Sequence, residues 1–239
     1  MWERVAVDVA VMSVLGLGAY WARALDGKGS MVAALVGLAV VEFGGLYPFL
    51  AMLSFVILGV LATRYRFSEK ARLGVAQSGN GVRSWGNVLG NGLPAVIFLA
   101  VEYLLHLDVF WAASFAAIAT ANGDTLASEL GKVFGRTPRL ITTLRPVEPG
   151  TNGAISLEGE VFALIGATVV ALFALPLTTK MEAMLLAVIL GGVIGVNLDS
   201  FIGATLEKEG ITDNNSTNFL ASLLGGFAGA GIFYLLGGV

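Results

Sequence analysis

Cysteine is absent from the 239 residues, and histidine occurs once, as His106. The first absence excludes disulfides, thiol nucleophiles and thiolate metal sites. The second leaves a Ser-His-Asp arrangement with a single imidazole, which sits beside Asp108, away from the polar segments described below. Charge is scarce too, at 13% of residues, where soluble domains carry about 25%. With 56% hydrophobic residues and a mean hydropathy of +0.82, the composition is that of an integral membrane protein whose solvent is the lipid bilayer. The net charge of −3 is unevenly placed, so the total carries no argument about nucleic acid, and no nucleic-acid partner is expected. The N-terminus has Glu3 and Asp8 where a signal peptide needs net positive charge before its apolar run, and it reads as a retained first helix.

A transmembrane helix needs roughly 20 apolar residues to cross about 30 Å of hydrocarbon. Runs of that kind lie near 3–24, 48–65, 86–105, 159–176, 180–198 and 216–236. Two more, near 30–43 and 109–121, are short and read as thin spans, re-entrant segments or half-helices. The expected fold is an all-α integral membrane protein with eight or so transmembrane helices, forming one domain over residues 1–239. Charge tests the count. With eight crossings, Arg23, Lys28, Arg64, Arg66, Lys70, Arg72, Arg83, Lys132, Arg136, Arg139, Arg145 and Lys208 share one side, leaving Arg4 and Lys180 on the other. The positive-inside rule then puts the larger group in the cytoplasm and both termini outside. The long polar segments 64–85, 122–158 and 199–215 fall on that cytoplasmic face, and the opposite connections, near Leu46, Leu107 and Thr178, are short. Asp8, Glu42, Glu102 and Glu182 lie near helix ends on the far side, where snorkelling to water accounts for them.

Four clusters on the polar face carry the chemistry. In GNGVRSWGNVLGNG, Arg83, Asn87 and Asn91 recur every four residues and share a helical face, as phosphate-binding groups or as interhelical hydrogen-bond glue. In NGDTLASELG a helix would place Asp124 beside Ser128 and Thr125 beside Glu129 on neighbouring stripes. Carboxylates and hydroxyls at a helix start suit Mg²⁺, a hard cation that keeps substrate phosphates in its shell; the plainer reading is helix capping. In TPRLITTLRPVEPGTNG, Arg139, Thr142, Thr143 and Arg145 precede a rigid and then a flexible turn with Thr151, Asn152 and Gly153, a set that suits a phosphate cradle or an ordinary surface loop. Last, Asp199 ends an apolar run as a further metal candidate, or as a solvated aspartate, and Asn214 to Thr217 would cap the final helix, with Asn218 at its rim. The glycine faces Gly191, Gly192, Gly195 and Gly225, Gly226, Gly229 either admit an apolar chain or, more commonly, mark close helix packing.

Acids, arginines, hydroxyls and glycines without a base match phosphoryl transfer, in which positioning, a divalent ion and positive charge do most of the work. The clusters together resemble an integral-membrane family that contains plant phytyl-phosphate kinase and vertebrate transmembrane protein 19. The resemblance rests on R-x-x-x-N-V-L-G-N-G from Arg83, G-D-T-L-A-S-E-L-G from Gly123, the Pro-x-Leu-Ile-Thr-Thr stretch from Pro138, G-T-N-G-A-I-S from Gly150, D-S-x-x-G-A-T-L from Asp199, and Asn214, Asn215 and Asn218. It implies a nucleotide-dependent kinase, with CTP as expected donor, that converts an isoprenoid monophosphate such as phytyl or geranylgeranyl phosphate to the diphosphate with Mg²⁺. On that basis the catalytic candidates are Arg83, Asp124, Glu129 and Arg145, and the metal candidates Asp124, Glu129 and Asp199. Lys70, Asn87, Asn91, Ser128, Arg139, Thr142, Thr143, Thr151, Asn152, Gly153, Asn214 and Asn218 are the candidates for binding nucleotide or acceptor. Gly123, Leu126 and Asn87 stand where the family pattern has alanine, tryptophan and glutamine, and they leave the charged groups intact. The rival reading is a transporter or flippase of a lipid phosphate or small anion, against which the polar groups gather at one rim and no inverted repeat is visible. The sequence leaves the oligomeric state open.

Overall fold

The computed structural model describes residues 2–238. Backbone polar groups in hydrocarbon must be satisfied internally, which favours helices, and the regular elements of the described chain are helices apart from one two-residue β-ladder. The order is α1 (Trp2–Trp21), α2 (Gly27–Gly44), α3 (Leu46–Arg64), the short α4 (Phe67–Arg72), α5 (Trp85–Leu105), α6 (Asp108–Phe134), β1 (Arg139–Leu140), β2 (Ala154–Ile155), α7 (Leu157–Ala174), α8 (Met181–Ile202) and α9 (Asn214–Leu235). Seven of these, α1, α2, α3, α5, α7, α8 and α9, are long and apolar enough to cross a membrane. The chain is a multi-pass integral membrane protein.

Both runs expected to be short are unbroken helices. α2 gains its first turn from Asp26, whose carboxylate accepts from the Gly29 N–H at 2.6 Å, and it reaches 18 residues. Gly45, at φ 72°, then reverses the chain directly into α3, a conformation that a side chain would strain. α6 is longer still, at 27 residues, because the polar stretch from Asn122 continues the helix instead of starting a new one.

α6 is the hub, packed against α3, α5, α7, α8 and α9. Its run Ala112, Ala113, Ser114, Phe115, Ala116, Ala117, Ile118, Ala119 is completely buried. Five neighbours fit around one helix only if most of its side chains are small, which is what this alanine-rich segment supplies. The glycine faces serve the same end. A methyl group on Gly191 would come 2.7 Å from the Gly229 Cα, and one on Gly192 would come 2.7 Å from the Ala119 Cβ. They are helix contacts and have no room for a lipid chain.

The connections after α1, α3, α6 and α8 adjoin one another at one end of the bundle. Asp26 N–H donates to Arg83 O and Arg83 N–H to Ala24 O, joining the first two. At the other end Lys180 Nζ donates to Gly237 O. Glu102, expected to reach water there, is only 8% exposed. Its side chain is covered by neighbours at the α5–α6 turn, His106, Asp108 and Trp111 among them.

Candidate functional site

A cavity of about 290 Å³ at the polar end is lined from four helices and a loop. Asp124, Ser128 and Lys132 line it from α6, spaced four apart and so on one face. Glu160 comes from α7, and Asn214 from α9. α8 supplies Asp199 and then continues through a π-helical turn, Gly203–Glu207, which carries Glu207 to the same cavity. Thr151, Asn152 and Gly153 of the loop after α6 complete the lining, with Gly153 seated against Ser200 and Ala204. Asp124, Asp199 and Glu207 lie in one another's electrostatic field. Among the described residues, no cation stands within 4 Å of Asp124 or Asp199, and neither carboxylate accepts a hydrogen bond. Glu160 is held by Asn197 Nδ2 at 3.1 Å and Glu207 by Thr217 Oγ1 at 2.8 Å.

The two expected stripes of α6 face different ways. The Asp124 and Ser128 stripe lines the cavity, and the Thr125 and Glu129 stripe turns towards α3 and α4. Because this segment lies in the second half of a long helix, its acids are not helix-start caps. Glu129, 2% exposed, has one oxygen 2.5 Å from Lys70 Nζ and the other 3.0 Å from Lys132 Nζ. Lys70 has no exposure at all and also donates to the Ala62 and Thr63 carbonyls at 3.0 and 2.9 Å. All three ammonium hydrogens are thereby engaged. These contacts make Lys70 a buried anchor of α4 on the end of α3. Glu129 does not line the cavity, though it lies in the electrostatic field of Asp124.

The Arg83 stripe also divides. Ser84 caps α5, and Asn87 completes the cap, its Oδ1 accepting from the Ser84 N–H at 3.2 Å. Asn87 Nδ2 donates to Asn215 Oδ1 at 2.9 Å, tying α5 to α9, and Asn91 Nδ2 donates back to Asn87 O at 2.9 Å. These amides serve the helix cap and the helix contact. Arg83 itself is half-buried between the groups. Burial pulls its guanidinium below the ordinary value, and the Glu129 and Asp124 carboxylates pull it back up. It stays a cation, as arginine does in proteins.

The loop after α6 forms a small hairpin, with Arg139 paired to Ile155 and Leu140 to Ala154. Arg139 donates to Leu144 O at 2.8 Å, which ties down the turn that holds Thr142, Thr143 and Arg145. Those three are exposed at its tip and do not line the cavity. The turn Gly150–Gly153 does. Gly150 and Gly153 have φ of 83° and 75°, and among the described residues the Asn152 and Gly153 N–H groups have no backbone acceptor. Free N–H groups in such a turn favour an anion. Gly153 docks on α8 so closely that a methyl group would lie 2.6 Å from Ser200 O and 2.7 Å from Ala204 N. Gly153→Ala is therefore expected to cost about 1–3 kcal/mol of local backbone strain, seen as faster amide hydrogen exchange across 148–156 with the helices unchanged. Normal protection in that segment would show the docking to be unimportant.

At the last helix, Asp213 is the cap, in place of the Asn214 to Thr217 set, accepting from Ser216 N at 2.8 Å. The Ser216 hydroxyl, which donates to the same carboxylate at 2.5 Å, holds the carboxyl below the usual range, and the Ser216 N–H adds to the effect. Asn218 is half-buried on α9 and lines no cavity described here. Lys132, Glu160 and Glu207 are cavity residues that the sequence reading did not single out. Lys132 carried a signal, since it follows Asp124 and Ser128 at the same interval. Glu207 sits two turns beyond Asp199, in the π-helical turn that ends α8.

Among the described residues, no three His, Cys, Asp or Glu side chains gather tightly enough to hold a metal ion unaided. Mg²⁺ does not require that, because it is commonly bound by one or two carboxylates with substrate phosphates and water completing the shell. The bare carboxylates of Asp124 and Asp199, with hard oxygens and no protein partner, fit that mode.

Residues 10–226 match the family described as "Integral membrane protein DUF92". An uncharacterized membrane protein of Methanocaldococcus jannaschii is 34% identical over 233 residues, covering 98% of this chain and 96% of the relative. Two Arabidopsis thaliana proteins are more distant. Protein PGR is 29% identical over 272 residues, with 94% of each chain covered, and the chloroplastic protein VTE6 is 27% identical over 232 residues, covering 94% of this chain and 69% of the relative. No solved structure matches the chain.

Proposed function

The chain belongs to the DUF92 family of integral membrane proteins, and on that premise we propose that it transfers a phosphoryl group from a nucleoside triphosphate, CTP before others, to an isoprenoid monophosphate. The acceptor would be of the phytyl or geranylgeranyl class, and the polar end would face the cytoplasm, as the basic loops suggest. The observation that carries the reading is the cavity in which Asp124 and Asp199, both without partners, face the Gly150–Gly153 turn and Lys132. Such a site takes a polyphosphate and the cation that accompanies it. The acids stand at one end of the bundle and not at its midplane, which favours an enzyme of the rim over a transporter.

Each group then has a task. An oxygen of the acceptor phosphate forms the new bond to the terminal phosphorus while the bond to the nucleoside diphosphate breaks. No base is needed, because a phosphate monoester has its second ionisation near pKa ~6 and is largely dianionic at neutral pH. Lys132 and the Asn152 and Gly153 N–H groups hold the donor phosphates, and Arg83 orients the acceptor dianion beside them. Asp124 and Asp199 are the residues that would hold Mg²⁺, which when bound neutralises charge on the phosphate oxygens.

The test is direct. Purified protein is incubated with geranylgeranyl or phytyl monophosphate, Mg²⁺ and each nucleoside triphosphate in turn. A prenyl diphosphate is the expected product, formed fastest with CTP. Failure to form product from any acceptor, free alcohols included, would overturn the kinase reading.

A further inference from the structure

The closed glycine faces leave an apolar substrate chain to be housed elsewhere. A second cavity at the polar end, of about 720 Å³, lies between the end of α1, the last turn of α3, and the segment Gly79–Arg83. We propose that this groove seats a single-chain lipid phosphate, its hydrocarbon against Tyr20, Val60 and Phe67 and its phosphate on Arg23, Arg64 and Arg83. The inference rests on the phosphate-acceptor reading above and locates that acceptor.

Three observations carry it. α1 packs chiefly against α2 and makes no extensive contact with α3, so the space between α1 and α3 is open to the side. Trp21, 77% exposed, stands at its edge. A lipid enters such a gap from the bilayer without leaving hydrocarbon.

The charge is one-sided. Arg23, Arg64 and Arg83 line the groove, and among the described residues none has a carboxylate within 4 Å. The single acid in the lining, Asp26, already caps α2. Arg64 uses one N–H on the Ala22 carbonyl, which fixes the end of α1, and keeps its other donors free. Arg23 and Arg64, with no acid beside them, and Arg83, which feels Asp124 and Glu129 of α6 only beyond 4 Å, complement a phosphate on a hydrocarbon tail above an apolar wall. Charge-assisted pairs with phosphate are among the strong ones. Thr63, 3% exposed, lines the groove as well, and its hydroxyl has no partner.

Arg83 connects this groove to the other cavity. It lines the groove and lies in the field of Asp124, which lines the acid-bearing cavity. A phosphate held by Arg83 therefore stands between the two, its tail on the α1 side and the nucleotide site on the α6 side.

The test uses geranylgeranyl monophosphate with a diazirine in its chain, irradiated with the full-length protein in phosphatidylcholine nanodiscs without nucleotide. Adducts mapped by mass spectrometry are expected within residues 20–25 and 57–67. Unlabelled geranylgeranyl phosphate should displace them, and neither geranylgeraniol nor inorganic phosphate should do so at the same concentration. Val60→Trp, which fills the groove, is expected to reduce adducts about tenfold or more. Arg23→Glu, an exposed change that leaves the packing alone, should weaken competition by the lipid phosphate by about tenfold. Adducts confined to other helices, equal displacement by geranylgeraniol, displacement by inorganic phosphate alone, or indifference to both variants would each overturn the proposal. Labelling needs no turnover, so groove adducts without diphosphate product would sink only the transfer reading, and product without groove adducts would sink only the groove.

Discussion

Lys70→Met is expected to destabilise the protein by about 3–5 kcal/mol, the usual loss when one partner of a buried ion pair is removed. The substitution leaves Glu129, 2% exposed, without its 2.5 Å partner, and it strips a donor from the Ala62 and Thr63 carbonyls. The lost charge also releases α4 from the end of α3. Thermal unfolding in mild detergent, followed by circular dichroism, measures the effect. The double variant Lys70→Met/Glu129→Met should recover most of the loss, because no buried charge is then stranded and Lys132, at the cavity edge, can reach water. A single variant as stable as the parent would mean that Lys70 and Glu129 do not meet. The comparison separates a structural pair from a catalytic one, since a purely catalytic role would leave unfolding unchanged in both variants.

Asp124→Asn is expected to have the opposite profile, with unfolding within about 0.5 kcal/mol of the parent and turnover lower by about 10²–10³. Asparagine has nearly the same shape and suits the same helix, and Asp124 has no ion pair or hydrogen bond to lose. What it loses is the negative charge facing the cavity. The Mg²⁺ dependence of the residual rate would be read beside the loss, because removing a group that helps to hold the donor's cation should also raise the Mg²⁺ concentration needed for half-maximal rate. Full activity in Asp124→Asn would remove this cavity as the reaction site, whatever the reaction is.

The contrast between Asp124 and Glu129 also marks how much the sequence discloses. The lipid-facing helices are legible to within a few residues, because lipid selects for long apolar runs, and α5 or α9 shows this well. α6 is the exception. Its apolar run stops near Ala121, yet the helix continues to Phe134, because its later side chains meet protein and a polar cavity and are not selected by lipid. The two stripes of that helix are visible as spacing, but spacing does not say which neighbour each faces. Lys70 and Glu129 are 59 residues apart and meet through α4, a placement that no local pattern announces. The hairpin tip is a similar case. Arg139 and Arg145 look like a phosphate cradle in a string of basic and hydroxyl residues, and the pairing of Arg139 with Ile155 turns the tip outward while Gly153 stays in.

The same α6 bears on how the protein is made. The later part of α6 carries Asp124, Glu129 and Lys132, charges that are costly to bring into lipid. It leaves an apolar run, near 109–121, shorter than the roughly 20 residues of a span that inserts alone. The alanines of α6 repay little of that cost. α6 therefore depends during biosynthesis on flanking apolar segments for membrane entry, above all α5 and α7, which lie beside it in the chain. The helix most central to the finished bundle is the one least able to enter the membrane alone.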